Sequence, residues 1–224
     1  MERLERAVIY TALFGDYHQR LVPLPDIGID AVAFTDDIVK AAPGWKTVVV
    51  PFPDKTIHPR MQAKWFKLFP HELFPEYDVS IWIDAGWLTV NRNVAVEMTP
   101  FLKETNICFF PHRRNQTLLE ELYETMALEK YKMLPCPSQV AAYYADGYKD
   151  ENEIVECTSL LRRHNEADVK RFNAAWWKEC RKWTYADQLS APYVLWKERV
   201  NYTRYPFTLD GQSWFRIHEW RGDK

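Results

Sequence analysis

The chain has 224 residues, 47% hydrophobic and 27% charged, with a formal net charge of −2. These are the values of one globular domain with a sizeable core, and they exclude nucleic-acid binding by bulk positive charge; read along its length, the sequence has no run of about 18 apolar residues that could span a membrane. Four cysteines (Cys108, Cys136, Cys157, Cys180) lie far apart with neither CxxC nor zinc-finger spacing, so buried, reduced thiols are expected. With no signal-peptide pattern after Met1, the expected setting is cytoplasmic, or peripheral to the inner face of the membrane. Aromatic residues reach 15%, including ten tryptophans; they suit a core and also the stacking of sugar rings and bases.

Ala7 to Phe14 reads as a first strand, followed by Gly15-Asp16-Tyr17, where a nucleotide-binding loop often falls, though GxGxxG is missing. Asp30 to Phe34, ending in Thr35-Asp36-Asp37, and Thr47 to Phe52 read as two more strands of a βαβ-type sheet. Arg60 to Phe69 reads as a helix with Arg60, Lys64, Lys67 and His71 on one face and Met61, Trp65 and Leu68 on another. That cationic stripe is either a solvated face or the lining of a crevice for diphosphate oxygens.

Val79 to Ile83 is short and apolar at most positions, as in a strand covered on both faces, and runs directly into Asp84-Ala85-Gly86. In open α/β sheets ligands sit beyond the carboxyl ends of strands, so Asp84 reads either as a ligand-facing acid or as a strand-end cap. Ala95 to Lys103 is an expected helix and Ile107 to Phe110 a strand ending in Pro111-His112-Arg113. Gln116 to Lys132 is an expected helix with Leu119, Leu122, Tyr123 and Met126 inward, followed by a shorter one from Gln139 to Tyr148. Ile154 to Leu161 reads as a strand carrying Glu156 and leading into Arg162-Arg163-His164. Glu166 to Trp183 is a long helix with Val169, Phe172, Trp176, Cys180 and Trp183 on its buried stripe. Asp187 is a candidate N-cap for a helix from Gln188 to about Lys197, and Tyr202 to Trp220 is an aromatic, β-like tail. No repeat or linker interrupts the chain. One domain over 1–224 is expected, with 1–110 as a nucleotide-sugar half and 111–224 as an acceptor half with a C-terminal extension.

An acid at a strand end beside a cationic helix face suits a nucleotide or sugar-nucleotide enzyme whose divalent cation neutralises a departing diphosphate. Neither a Walker A sequence nor GxSxG is present.

Tyr10-Thr11-Ala12-Leu13-Phe14-Gly15-Asp16-Tyr17, Phe34-Thr35-Asp36, the segment Arg60 to His71 and Ser80-Ile81-Trp82-Ile83-Asp84 resemble blocks of one glycosyltransferase-like family. So do Phe110-Pro111-His112-Arg113, Arg163-His164-Asn165, Trp176-Trp177 with Glu179, and Asp187-Gln188-Leu189-Ser190. That family, long catalogued as a domain of unknown function, includes bacterial polysaccharide-locus proteins and plant mucilage-related glycosyltransferases. The resemblance implies an α/β, GT-A-like domain with a mostly parallel central sheet flanked by helices. It implies transfer from a nucleoside-diphosphate sugar, UDP-linked by preference, to a saccharide or other acceptor.

By position, Asp84 corresponds to the first acid of an Asp-x-Asp metal site for Mn²⁺ or Mg²⁺. Ala85-Gly86 supplies no second acid, and a C-terminal histidine, His218, would serve as a further ligand. Asp187 and Gln188 resemble a pair that meets the donor sugar in retaining enzymes, with Asp187 on sugar hydroxyls and Gln188 beneath the anomeric carbon. Glu156 would be an acceptor-side carboxylate. Tyr10, Thr11, Asp16 and Asp36 would contact base and ribose, Arg60 and Lys64 the diphosphate, and His112, Arg163 and His164 the acceptor. A non-catalytic nucleotide- or sugar-binding relative is the alternative, and a lipid-amide hydrolase a more distant one.

Overall fold

The structure, a computed structural model, describes residues 5–17, 19–51, 56–86, 88–90, 92–150 and 154–217. Strands β1 (Ala7–Leu13), β2 (Asp30–Thr35), β3 (Lys46–Val49), β4 (Val79–Ile83), β6 (Ile107–Pro111), β7 (Val155–Arg162) and β8 (Thr203–Arg204) form one sheet in the order β3-β2-β1-β4-β7-β6-β8. A ribbon of β5 (Leu88–Val90) and β9 (Phe215–Ile217) stands apart. The pairs β3–β2, β2–β1, β1–β4 and β6–β8 are parallel, and β7 alone runs against both its neighbours, β4 and β6. The expected mostly parallel α/β domain is therefore observed, with one reversed strand.

The reversal follows from where the chain goes after β6. Helices α4 (Leu118–Ala127) and α5 (Cys136–Ala145) follow the carboxyl end of β6, and the His112 N–H donates to the Ile154 carbonyl at 2.8 Å. The chain thus re-enters the sheet from the end at which it left, which requires an antiparallel strand.

Alternation along each strand sends side chains to two covered faces. Val8, Tyr10, Ala12 and Trp82 join a core made with α1 (Pro59–Leu68), α4, α5, α6 (Ala167–Lys182) and α7 (Asp187–Lys197). Ile9, Val79, Ile81 and Ile83 meet the other core, with α3 (Val94–Met98) and the tail residues Tyr205, Leu209 and Trp214. The four cysteines are buried and unpaired, as expected. Among the described residues no helix is long and apolar enough to cross a membrane.

Two helices depart from their sequence reading. Short α2 (Pro70–Leu73) breaks away at Pro70, so His71 leaves the face shared by Arg60, Lys64 and Lys67. In α4, Leu118, Glu121, Leu122 and Thr125 turn inward, while Leu119 and Tyr123 are exposed. A capping box, Thr117 with Glu120, fixes the start of that helix. The inward face is polar in its middle because it borders a cleft rather than core.

Fully buried Arg162 holds α1 in place. Its guanidinium donates to the Tyr10 hydroxyl at 2.5 Å, the Lys67 carbonyl at 2.8 Å and Asn173 Oδ1 at 3.2 Å. A cation at the C-terminal end of α1 also suits the helix dipole.

Candidate functional site

The carboxyl ends of β1, β4 and β6 and the start of β7 open into a cleft of about 540 Å³. That size falls within the range of small-ligand and cofactor sites, about 300–1,000 Å³. Ala12 to Phe14, Arg60, Lys64 and Tyr185 line one side of it; His112, Arg113, Glu121 and Glu156 line the other. Asp84, Asp187 and Gln188 lie between. Gly86, at φ 82°, turns the chain away after Asp84, a conformation glycine adopts without strain.

A tight ionic cluster forms the floor. Asp187 Oδ2 lies 2.6 Å from Lys64 Nζ and 2.5 Å from Lys67 Nζ. Lys67, fully buried, also donates to the Cys157 carbonyl at 2.6 Å and stands 3.7 Å from Asp84 Oδ1. Trp82 Nε1 donates to that same Asp84 oxygen at 2.8 Å. Burial alone would raise the Asp187 carboxyl, but Lys64 and Lys67 outweigh it and hold the pKa at about 2. Lys64, which burial alone would lower, is held above its ordinary value by Asp187 and Asp84. Asp187 and Lys64 are thus both charged at neutral pH, and a buried arrangement of this kind persists only when each charge is paired.

Asp187 is not the N-cap of α7. Ala186 occupies that position, and Asp187 is the first helical residue, its side chain turned to the lysines instead of the helix backbone. Gln188 Oε1 accepts the Cys157 N–H at 3.2 Å, and its side-chain amide lies near Glu121, whose carboxyl pKa it lowers.

The far wall is also built from buried polar groups. Glu156 accepts from Arg113 Nε at 3.2 Å and Thr158 Oγ1 at 2.6 Å. Glu121 accepts from Asn115 Nδ2 at 2.7 Å and Thr125 Oγ1 at 3.3 Å, with His112 Nε2 at 3.5 Å. Burial drives the Glu121 carboxyl above its usual range, opposed by Asn115, His112 and Gln188 and reinforced by Glu156.

Of the residues expected in the site, Asp84, Arg60, Lys64, Asp187, Gln188, Glu156 and His112 line the cleft. Tyr10 and Thr11 do not: both are fully buried, and the Tyr10 hydroxyl is taken up by Arg162 and the Lys67 carbonyl. Asp36 pairs with Lys40 and accepts the Gly15 N–H at 2.8 Å, which shapes the loop after β1; Asp16 is exposed beside it. Arg163 and His164 lie at the opposite end of the sheet, because they follow the reversed strand β7. There Arg163 serves Glu5 and the Leu102 carbonyl, and His164 Nε2 meets the Phe74 carbonyl at 2.9 Å.

His218 lies outside the described residues. Among the described residues no three His, Cys, Asp or Glu side chains are grouped to hold a metal ion. Asp84 has an ammonium group at 3.7 Å where a second acid would be needed, so these residues by themselves do not fit a divalent cation. Glu121 is a cleft residue that sequence reasoning did not place, and Lys67 was placed only on the cationic stripe, not as the partner of Asp187. Lys67 was visible as the next position on the Arg60–Lys64 face, whereas Glu121 was masked by the apolar pair Leu119 and Tyr123.

A family model described as "TOD1/MUCI70, glycosyltransferase-like domain" matches residues 30–210. No curated protein matches the sequence. Among solved structures, the WbbM bifunctional glycosyltransferase in its apo form is similar in fold, with a TM-score of 0.51 at 9% identity over 92% of this chain. The chain spans 40% of that protein's length.

Proposed function

The chain belongs to the TOD1/MUCI70 family of glycosyltransferase-like domains, and we propose that its cleft transfers a sugar from a nucleoside diphosphate, UDP by preference, to a saccharide or other acceptor. The observation that carries this reading is the Lys64–Asp187–Lys67–Asp84 cluster on the floor of the cleft at the carboxyl end of β4.

Glycosyl transfer from such a donor breaks the bond between the anomeric carbon and a phosphate oxygen, so negative charge grows on the departing diphosphate. Fixed cations aimed at that charge stabilise the transition state more than the ground state. Arg60 and Lys64 line the cleft and supply them. Asp187 holds Lys64 in one place, and Lys67 holds both acids, so little reorganisation is needed as charge moves. Phe14 and Tyr185 offer aromatic surface for the base, and Arg60 already lies 5.6 Å from the Tyr185 ring.

The test is thermal stabilisation by UDP, GDP and CDP and their sugars, with Mn²⁺ and with chelator. A nucleotide present at about 100 times its dissociation constant adds about 2.7 kcal/mol, a readily measured shift. One nucleotide class should stabilise the protein, and Arg60→Ala should weaken that binding about tenfold, or about 1.4 kcal/mol. Asp84→Asn should abolish sugar transfer with little change in melting temperature, since the Trp82 bond to its Oδ1 survives. Absence of stabilisation by every nucleotide, with or without Mn²⁺, would refute the proposal.

A further inference from the structure

We propose that Glu121 is the catalytic base that takes the proton from the acceptor hydroxyl, and that transfer therefore proceeds with inversion. The inference rests on the transferase reading above and adds the acceptor side to it.

The first observation is the fixed tautomer of His112. Its Nδ1 accepts two backbone N–H groups, from Asn115 at 2.8 Å and Arg114 at 3.2 Å. A nitrogen that accepts cannot carry the proton, so the neutral ring carries it on Nε2. Nε2 faces Glu121 Oε2 at 3.5 Å. His112 therefore has no free lone pair with which to act as a base; it is a positioning residue that presents a donor to the carboxylate.

The second observation is the contrast between two carboxylates on one wall. Glu156 is tied to the Arg113 cation. Glu121 accepts from the amide of Asn115 and the hydroxyl of Thr125 and faces His112 Nε2 at 3.5 Å, and among the described residues no lysine or arginine is hydrogen-bonded to it. Two nearby acids whose surroundings differ in this way divide into a fixed charge and a proton acceptor. Burial and the neighbouring Glu156 both raise the Glu121 carboxyl, which strengthens it as a base.

The third observation is that α7 joins the two walls at adjacent residues. Asp187 is committed to Lys64 and Lys67, and Gln188 accepts from Cys157 with its amide near Glu121. The resemblance to retaining enzymes would have Asp187 bind sugar hydroxyls and Gln188 lie beneath the anomeric carbon. Here one orders the donor-side cations, and the other borders the carboxylate that Asn115 and Thr125 orient.

In the resulting step, the acceptor O–H proton passes to Glu121 and the oxygen lone pair forms a new bond to the anomeric carbon. The bond from that carbon to the diphosphate oxygen breaks on the opposite face, and its electron pair leaves on the diphosphate. Glu121 then returns its proton to solvent through the cleft.

The experiment uses the full chain with UDP-glucose, UDP-N-acetylglucosamine and GDP-mannose, and water as acceptor. Nucleoside diphosphate release is followed from pH 4 to 9, and the anomer of the freed sugar is read by proton NMR before it mutarotates. Glu121→Gln should lower release by about a hundred- to ten-thousand-fold and remove the acid limb of the profile, while stabilisation by UDP is unchanged. Glu121→Asp, which keeps the charge, should retain that limb at a reduced rate. The wild-type sugar should be freed with inverted configuration, a result that needs no variant.

Retention, or a Glu121→Gln rate within threefold of wild type, overturns this proposal and leaves the transferase reading standing. Loss of UDP stabilisation in Glu121→Gln overturns it in favour of a structural role. A wild-type protein that binds UDP but turns over none of these donors overturns both.

Discussion

At the carboxyl end of β4, Lys64, Lys67, Asp84 and Asp187 are gathered around an open cleft. At the other end of the same sheet, Arg163, His164 and Asn165 reach backbone carbonyls of Leu102, Phe74, Pro75 and Tyr77. Both ends present cations and a histidine beside a strand, and both belong to segments that resemble family blocks. The difference lies in what the polar atoms face. Carbonyls that must be satisfied on folding consume the donors at one end, whereas side-chain carboxylates hold the lysines at the other and leave an edge of the cluster toward ligand. Whether a cluster of polar residues at a strand end faces a cleft or the backbone of its neighbours therefore depends on the direction of the strand.

The contrast is broken most severely by Asp187→Asn. Removing Asp187 from a buried ionic cluster leaves Lys67, with no exposed surface, only the more distant Asp84 carboxylate at 3.7 Å, and the expected loss is about 3–5 kcal/mol together with loss of nucleotide binding. Chemical denaturation with and without UDP checks both. A loss below about 1 kcal/mol would mean that the lysines are not held by this carboxylate.

An acid titration probes the opposite end. Burial lowers the His164 pKa to about 4, against about 6.5 in an unfolded chain. The folded state thus excludes a proton that the unfolded state binds between these values. The contribution of the neutral ring is fully present above pH 6.5 and is lost as pH falls toward 4. The slope integrates to about 3 kcal/mol. His164→Gln should flatten stability between pH 6.5 and 4, as measured by urea midpoints, without altering nucleotide binding at pH 7.5.

Arg163→Ala should have the smallest effect. Its side chain is 27% exposed and its acidic partner Glu5 32% exposed, so about 1 kcal/mol of stability is at stake. Nucleotide affinity should be unchanged; a tenfold loss would return Arg163 to the acceptor site.

Much of the Arg60–Lys64 side of the cleft was legible in the sequence because it depends on local periodicity. Arg60, Lys64 and Lys67 share a helix face whatever that helix packs against, and a short apolar strand ending in Asp84 places that acid at the rim of an α/β sheet. The Glu121 side was less legible. In α4 the apolar residues Leu119 and Tyr123 suggested a buried stripe, yet that face is exposed and Glu121 turns inward. Hydrophobic pattern cannot reveal that a helix face borders a cleft, where buried carboxylates are tolerated because they have donors. Tyr10 and Thr11 show the converse. They sit in a motif that resembles a nucleotide-binding block, but alternation along β1 puts them in the core, and Ala12 to Phe14, farther along the strand, reach the cleft.

By itself, the sequence determined the α/β class, the parallel pairing of the first strands, the cationic face of α1 and the position of Asp84, since each follows from side-chain period and strand composition over a few residues. Tertiary structure alone decided the direction of β7, the partner of Asp187 and the inward turn of Glu121. Each of these depends on contacts between segments far apart in the chain, such as Lys67 with Asp187 and Arg162 with Tyr10. No local pattern encodes such pairings; they arise when the buried charges and donors of one segment find the only partners that packing leaves them.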